Sequence, residues 1–273
     1  SGVSRVIVAL EDPFKQVNGQ GIAALKAAGI EVRVGLMREA ASELNRGFLS
    51  SIERQRPWVQ LKMGMSLDGR TALGNGRSQW ITGPKSRADV QQWRARSAAI
   101  ITGSGTVLGD DPLLTVRQLS SPEAVAPLRV VLDSAARVPA CAQVFNGNAP
   151  SLRVVHHDTP LPVTQPPDVL RLHGDSEGLD LHELLSQLSQ RGLHDVMVEA
   201  GPRLAGAFLN AGLVDEVLLY MAPKLLGNLA RPLVHMPELV HLEQALNFTL
   251  FDVTQLGQDL RLRLRPAQVA GAT

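Results

Sequence analysis

Between Val196 and Leu209 the chain reads VMVEAGPRLAGAFL, with Gly201 and Gly206 five apart, after a β-branched run and before a helix-like run. That is the glycine spacing of a phosphate-binding P-loop. A Walker loop also needs Lys and then Ser or Thr after its second glycine, to grip phosphate and metal. Here Gly206 is followed by Ala207 and Phe208, so nucleotide hydrolysis is not expected. What remains is a strand, a tight glycine turn and a helix whose free N–H groups point at an anion. Pro202 sits where the first turn needs no N–H. Gly206 and Ala207 would let that helix approach a neighbouring backbone or a ligand. An ordinary strand-to-helix turn is the alternative reading of the stretch.

A second glycine set, in IITGSGTVLGDDPLLTVR, places Gly103, Gly105 and Gly109 after a strand. A Rossmann loop must open directly into a helix. Pro112 follows so closely on the third glycine that only a short turn fits between them, which argues against a Rossmann loop. Thr106 and Asp110 still stand at the end of a strand, where open α/β sheets bind ligands. Asp110 and Asp111 could hold a metal, but an Asp-Asp-Pro turn more often caps local backbone N–H groups. No histidine or third acid keeps ligand spacing with the pair, so no metal site is expected. Adjacent His156 and His157 point to opposite sides of a strand and read as surface residues.

These loops need a scaffold. RVIVAL, GQGIAALKAAG closed by Gly29, EVRVGL and REAASELNRGFLSSIERQ read as strand, helix, strand and amphipathic helix over residues 1–50. That unit is too small to bury its own faces, and Pro57 ends its last helix. A boundary is placed there, between residues 1–56 and 57–273. From Trp58 strands and helices alternate: WVQLKMGM, a turn at Asp68-Gly69, a helix from Pro84, AAIITGS, LRVVLDS, a helix LHELLSQLSQRG, HDVMVEA, RLAGAFLNAG and DEVLLYMAPKLLG. Residues 145–170 read as Pro-rich and irregular around one short strand, and LNFTLFDVTQLGQDLRLRLRP as a terminal antiparallel hairpin. This order predicts an α/β sheet, mostly parallel, with an antiparallel edge.

Composition narrows the function. The net charge of +1 lacks the basic footprint of a nucleic-acid binder. No run of eighteen apolar residues occurs, so no membrane span is expected. One cysteine, Cys141, excludes a disulfide framework or a cysteine zinc cluster and fits a reducing cytoplasm. The 22 arginines against 5 lysines suit bidentate phosphate contacts. The first residues lack the plan of a signal peptide and read as the middle of an element, as in a fragment or processed chain.

Taken in order, WVQLKMGMSLDGRTA, SQWITGP, RARSAAIITGSGTVLGDDPLLTVR, RVVLDS and VEAGPRLAGAFLNAGLVDEVLLYMAPKLLG resemble the reductase domain of the bifunctional riboflavin-biosynthesis deaminase–reductase, from Trp58 to about Arg265. The resemblance implies a dihydrofolate-reductase-like fold and NADPH-dependent reduction of 5-amino-6-(5-phosphoribosylamino)uracil to its ribitylamino product. Hydride would add at C1′ of the opened sugar, with orientation and electrostatics left to the protein. It implies cofactor contacts at Gly64, Trp80, Thr106, Asp110, Ser134 and Gly201, Pro202, Arg203, Leu204, Ala205, Gly206 and Ala207, the last seven forming the cofactor phosphate segment. It implies substrate contacts at Ser78, Arg94, Leu114, Arg117 and Glu199, with Arg94 and Arg117 together suiting a phosphate dianion. Lys62 and Asp110 are the two candidates for proton donor, and the sequence does not choose between them. Each of these roles has a structural rival: Trp80 as core, the arginines as solvated, Glu199 as a helix cap.

Residues 1–50 resemble the last β-α-β-α portion of the companion cytidine-deaminase-like domain. That domain binds zinc through H-x-E and P-C-x-x-C motifs, which activate water for deamination. Neither motif is expected in this chain, so zinc and deamination would belong only to the absent part of that domain. A small phosphorylated pyrimidine is the expected partner, with a homodimer or higher homo-oligomer as the expected assembly. Two rival functions remain at this stage. One is a dihydrofolate-type reductase, for which Asp89 would be the acid on an early helix; the other is a non-catalytic NADPH-binding fragment.

Overall fold

The structure, a computed structural model, describes residues 2–117, 125–147, 149–161, 168–175 and 178–267, and divides into two units. The first comprises residues 1–58 with 185–194. In it β1 (Arg5–Val8) and β2 (Glu31–Val34) pair in parallel, with Arg5 and Glu31 joined at 2.7 Å. Between them α1 (Gln20–Ala27) ends at Gly29, whose φ of 77° lets the Gly29 and Ile30 N–H groups return to Lys26 and Leu25. The expected single helix after β2 is two, α2 (Arg38–Leu44) and α3 (Arg46–Arg54). Asn45 separates them: its Nδ2 donates to the Ala41 carbonyl at 2.8 Å, and such side-chain bonding competes with helix continuation. Residues 185–194, which sequence reasoning assigned elsewhere, join this unit through His194. Its Nδ1 lies 2.7 Å from Ser51 Oγ, and its carbonyl accepts the Trp58 N–H.

The second unit holds residues 59–184 and 195–273. Its elements are β3 (Trp58–Ser66), β4 (Arg70–Ala72), α4 (Pro84–Arg96), β5 (Ala99–Gly103), α5 (Ser104–Asp110), β6 (Leu128–Leu132), β7 (Ser151–His156), β8 (Val169–Leu172), the first four residues of α6 (Leu181–Gln190), β9 (Asp195–Glu199), α7 (Pro202–Asn210), β10 (Glu216–Ala222), β11 (Arg231–Pro232), β12 (Phe248–Leu256) and β13 (Asp259–Pro266). Nine strands form one sheet in the order β12-β13-β10-β3-β9-β5-β6-β7-β8. Pairings from β5 outward through β8, β5 with β9, and β10 with β3 are parallel; β13 pairs antiparallel with β10 and β12. The mostly parallel sheet with a C-terminal antiparallel hairpin is the one expected. Its central strands are buried along their length, as in Ala99–Ile101 and Val196–Val198, because helices on both faces leave no solvated side.

Three local readings change. The glycine-rich stretch after β5 opens directly into a helix, α5, which contains Gly105 and Gly109 and stops at Asp111 (φ 38°) just before Pro112. A second strand, β8, begins at the last two residues of the stretch read as irregular; residues 148 and 162–167 of that stretch fall outside the described residues. Strand β10 ends at Ala222, because the chain then turns so that the Leu226 and Gly227 N–H groups reach the Asp68 carboxylate at 2.8–3.1 Å.

Two anchors set the walls of the site. Helix α4 has no side-chain cap of its own; Asp259 of β13 accepts from Gly83 N and Ser86 Oγ, each at 2.6 Å, and places a carboxylate at the helix's positive end. Arg129 is fully buried without a carboxylate among its described partners. Its guanidinium donates instead to the carbonyls of Leu113, Asn146, Ala149 and Pro150, which pins the segment after α5.

Candidate active site

Open parallel sheets bind ligands outside the carboxyl ends of their strands. Here the ends of β3, β5, β6 and β9 open into one cleft of about 2370 Å³, lined among others by Lys62, Gly64, Gly103, Leu132 and Glu199. Single small-ligand sites run to about 1,000 Å³, so this cleft has room for a dinucleotide and a second molecule.

At its floor lies an ion cluster. Glu199, the last residue of β9, is 8 % exposed. Its Oε1 accepts from Arg94 Nε at 2.6 Å and its Oε2 from Arg94 Nη2 at 3.0 Å, while Lys62 Nζ lies 3.6 Å from Oε2. Burial acts to raise the Glu199 pKa, but the charges and hydrogen bonds of Arg94 and Lys62 outweigh it and hold the carboxyl at about 2. Burial likewise acts to lower the pKa of Arg94, and Glu199 overcomes it, so the guanidinium is raised above its usual value. Glu199 is thus an ionised counter-charge rather than a helix cap.

Arg94 and Arg117, paired by the sequence reading, both line the cleft but in different situations. All three guanidinium nitrogens of Arg94 are in use, the third donating to the Thr115 carbonyl at 3.1 Å. Arg94 therefore ties α4, β9 and the 113–117 segment together while lining the cleft, with three of its five N–H donors in these bonds. Arg117 is exposed in the same cleft, and among the described residues only its main-chain N–H is engaged, with Gln91 Oε1 at 3.0 Å. Leu114 also lines the cleft, but its side chain packs in the core with Ile100, Val107, Val131 and Phe145.

The glycine turns meet across the cleft. A Cβ on Gly201 would stand 3.8 Å from Thr106 Oγ1, and one on Gly103 would stand 3.4 Å from Leu204 Cδ2. Gly201 precedes α7, Pro202 fills its first position, and no side chain caps that end. The Arg203 and Leu204 N–H groups are among the donors that an α-helix leaves without intrahelical partners, and both residues line the cleft with Gly201, Pro202 and Ala207. Ala205 and Gly206 do not line it. Gly206 is buried, and a Cβ there would overlap the backbone carbonyl of His235. The close approach it permits is to the protein's own backbone, which corrects its placement in the phosphate segment.

Gly64, Ser78, Trp80, Thr106, Asp110 and Ser134 all line the cleft. Trp80 is 58 % exposed, under the Arg87 guanidinium at 4.4 Å, so it is not core. Asp110 is exposed at the end of α5. Asp111 instead accepts from the Gln143 main-chain and side-chain N–H groups at 2.8–3.2 Å.

The match to a family model for the RibD C-terminal domain runs from residue 57 to 262. The chain belongs to that family. It is 43% identical to the riboflavin biosynthesis protein RibD of Escherichia coli over 97% of this chain and 75% of that protein. Among solved structures, Acinetobacter baumannii RibD (form 1) superposes with a TM-score of 0.88 at 41% identity, covering 97% of this chain and 74% of that one. The Thermotoga maritima protein, a diaminohydroxyphosphoribosylaminopyrimidine deaminase/5-amino-6-(5-phosphoribosylamino)uracil reductase, gives 0.84 at 28% identity, covering 97% and 72%. Among the described residues no helix is long and apolar enough to cross a membrane.

Within this RibD-type cleft, the acid that a folate-type reductase would need is not available. Asp89 is absent from the lining; it accepts from Tyr220 Oη at 2.7 Å and Trp93 Nε1 at 3.2 Å and pairs with Arg261 at 3.0 Å. Burial, then the Asp89 hydrogen bond and charge, push the Tyr220 hydroxyl above its ordinary pKa, so it stays a donor. Two expected absences are also corrected. Residues 241–243 spell His-Leu-Glu, an H-x-E string, but they form an exposed turn outside the cleft. His156 and His157 converge with Asp158, their donor atoms within 4.8 Å of one another, because the chain leaves β7 there.

Sequence reasoning missed the Lys62–Glu199–Arg94 cluster and the cleft residues Ser104 and Arg137. The cluster left no local signal, since its members are 32 and 105 residues apart. Arg137 had one, standing four residues after the strand-ending acid Asp133.

Proposed function

We propose that the cleft reduces 5-amino-6-(5-phosphoribosylamino)uracil to its ribitylamino product with NADPH. By family the chain is a reductase of riboflavin biosynthesis, an oxidoreductase. The observation that carries the finer reading is the buried Lys62–Glu199–Arg94 cluster at the floor of a cleft with an uncapped helix end on one wall and Arg117 on another.

The residues fit the cofactor. The α7 N-terminus offers free N–H groups and a positive dipole end to a pyrophosphate, with Gly201, Arg203 and Leu204 around it and Thr106 opposite. Bound NADPH would supply the hydride for C1′ of the substrate. Arg117 offers its guanidinium to the substrate phosphate. Lys62, held by Glu199 and set two residues before Gly64 on β3, keeps its ammonium aimed into the cleft and donates the proton that opening the ribosylamine requires. Glu199 stays ionised and holds the Lys62 side chain beside it. We prefer Lys62 to Asp110 because Asp110 is exposed to water on α5.

On the same footing, residues 1–56 are the closing β-α-β-α portion of a cytidine-deaminase-like domain, supported by their element order and parallel β1–β2 pair. Zinc would belong to the rest of such a domain. Cytoplasmic location and homo-oligomer formation are proposed with it; light scattering on a sizing column tests the latter. For the reaction, NADPH oxidation is followed with the aminopyrimidine and with dihydrofolate, and the product is weighed for two added hydrogens. Turnover of the first alone is expected, and turnover of dihydrofolate alone would overturn the reading. Lys62→Met should abolish kcat while NADPH still binds.

A further inference from the structure

The far end of the cleft, at the carboxyl end of β6, holds an acid and an arginine in opposite situations. Asp133 is fully buried. Its two carboxylate oxygens accept the main-chain N–H groups of Arg137 at 2.9 Å and Val138 at 3.0 Å, and Arg153 Nε lies 3.7 Å away. The Ala136 N–H returns to the Asp133 carbonyl at 2.8 Å, with Ala136 at a φ of 51°. Asp133 therefore spends its carboxylate on shaping the 133–138 turn, and it does not line the cleft. Arg137 does line it, with Ser134 and Ser104. Its side chain is exposed, pairs with no carboxylate among the described residues, and has Ser104 Oγ at 3.3 Å as its hydrogen-bond partner.

In dinucleotide sites an acid at such a strand end accepts the adenosine ribose 2′-hydroxyl of NAD, whereas a nearby arginine accommodates the 2′-phosphate of NADP. Here the acid is withdrawn into the turn and the arginine is left free. The sheet order gives the spacing. Lys62 and Gly64 are on β3, α7 follows β9, and β6 lies three strands from β3, about 14 Å at the usual strand separation. With the reacting ring near β3 and the pyrophosphate at the α7 N-terminus, the adenosine half falls over β5 and β6, where Ser104, Ser134 and Arg137 stand.

We infer that Arg137, set by the Asp133 turn and flanked by Ser104 and Ser134, binds the 2′-phosphate of the cofactor and is the residue that selects NADPH over NADH. The inference rests on the proposed dinucleotide reading of the cleft and adds the determinant of cofactor choice. A guanidinium facing a phosphate dianion makes short charge-assisted hydrogen bonds that a 2′-hydroxyl cannot match. The buried Asp133 keeps the turn in place when the exposed Arg137 side chain is changed.

The test uses the full chain, wild type, Arg137→Ala and Arg137→Lys. Calorimetry measures adenosine 2′,5′-bisphosphate against adenosine 5′-monophosphate, and kinetics measure kcat/KM for NADPH against NADH. Wild type should prefer the 2′-phosphorylated member of each pair by about tenfold or more, Arg137→Ala should lose most of that preference with the unphosphorylated members changed less than about twofold, and Arg137→Lys should keep part of it. If Arg137→Ala weakens both members of each pair equally, the arginine only supports the turn; if it changes neither, the 2′-phosphate lies elsewhere. Either result overturns the inference while leaving the reductase reading standing. If wild type binds neither NADPH nor NADH, the dinucleotide reading itself fails, and the inference with it.

Discussion

Replacing Glu199 by Gln isolates the electrostatics of the cleft floor, because the amide keeps the shape of the side chain and removes its charge. In the folded protein the Glu199 carboxyl stands at about 2 against an ordinary 4.5. At about 1.4 kcal/mol per pH unit, that depression corresponds to roughly 3 kcal/mol of folding stability at neutral pH. A second route gives a similar size, since removing one partner of a buried ion pair typically costs about 3–5 kcal/mol by stranding the other charge. Glu199→Gln leaves Arg94, 15 % exposed, and Lys62, 24 % exposed, without their counter-ion. The pH dependence has a definite sign. A carboxyl with a depressed folded pKa contributes stability that is complete above about 4.5 and is lost as pH falls toward 2. Urea unfolding of wild type and Glu199→Gln at pH 7, 5, 4 and 3 should therefore show a gap of about 3 kcal/mol at the upper two values that narrows at the lower two. A gap below about 0.5 kcal/mol at pH 7, within the range of an ordinary surface substitution, would refute the reasoning. So would a gap of constant size from pH 7 to 3. The same variant should lose kcat, since Lys62 would no longer be held.

Arg117→Ala should raise KM for the phosphorylated substrate by about tenfold or more, as expected for a charge-assisted contact of about 1.5–3 kcal/mol, with KM for NADPH nearly unchanged. Equal losses for the two substrates in steady-state kinetics would make Arg117 structural. Gly206→Val should lower the melting temperature, because its side chain meets the His235 carbonyl. Overpacking of this kind costs about 1–3 kcal/mol or more, and NADPH affinity of the folded fraction, measured by fluorescence titration, should be kept. Exhaustive dialysis against EDTA should leave turnover intact, because Glu199, the carboxylate beside Lys62 and Arg94, is already neutralised by these two cationic side chains. Loss of activity restored by a stoichiometric metal in elemental analysis would contradict this.

Periodicity and turn chemistry are local, and what they control was legible in the sequence. The buried runs of β5 and β9, the helix opening at Pro84, the Gly29 stop of α1, the uncapped turn before α7 and the closing hairpin all follow from residues within a few positions of one another. So does the strand–helix alternation that makes the sheet mostly parallel. Three features needed the tertiary structure. The order β3-β9-β5 brings Lys62, in the middle of β3, to Glu199 at the end of β9 and lets Arg94 reach both Glu199 and Thr115, and no spacing along the chain encodes strand order. Gly206 carries the P-loop spacing, yet its missing side chain is required by His235, a neighbour supplied by a distant segment. Asp133 and Arg137 could each have served a cofactor ribose, and only the folded turn withdraws the acid and leaves the arginine in the cleft. Local sequence chose which elements form and where they turn, whereas the identity of each side chain's partner was decided by packing, because burial forces charges and backbones from remote segments to satisfy one another.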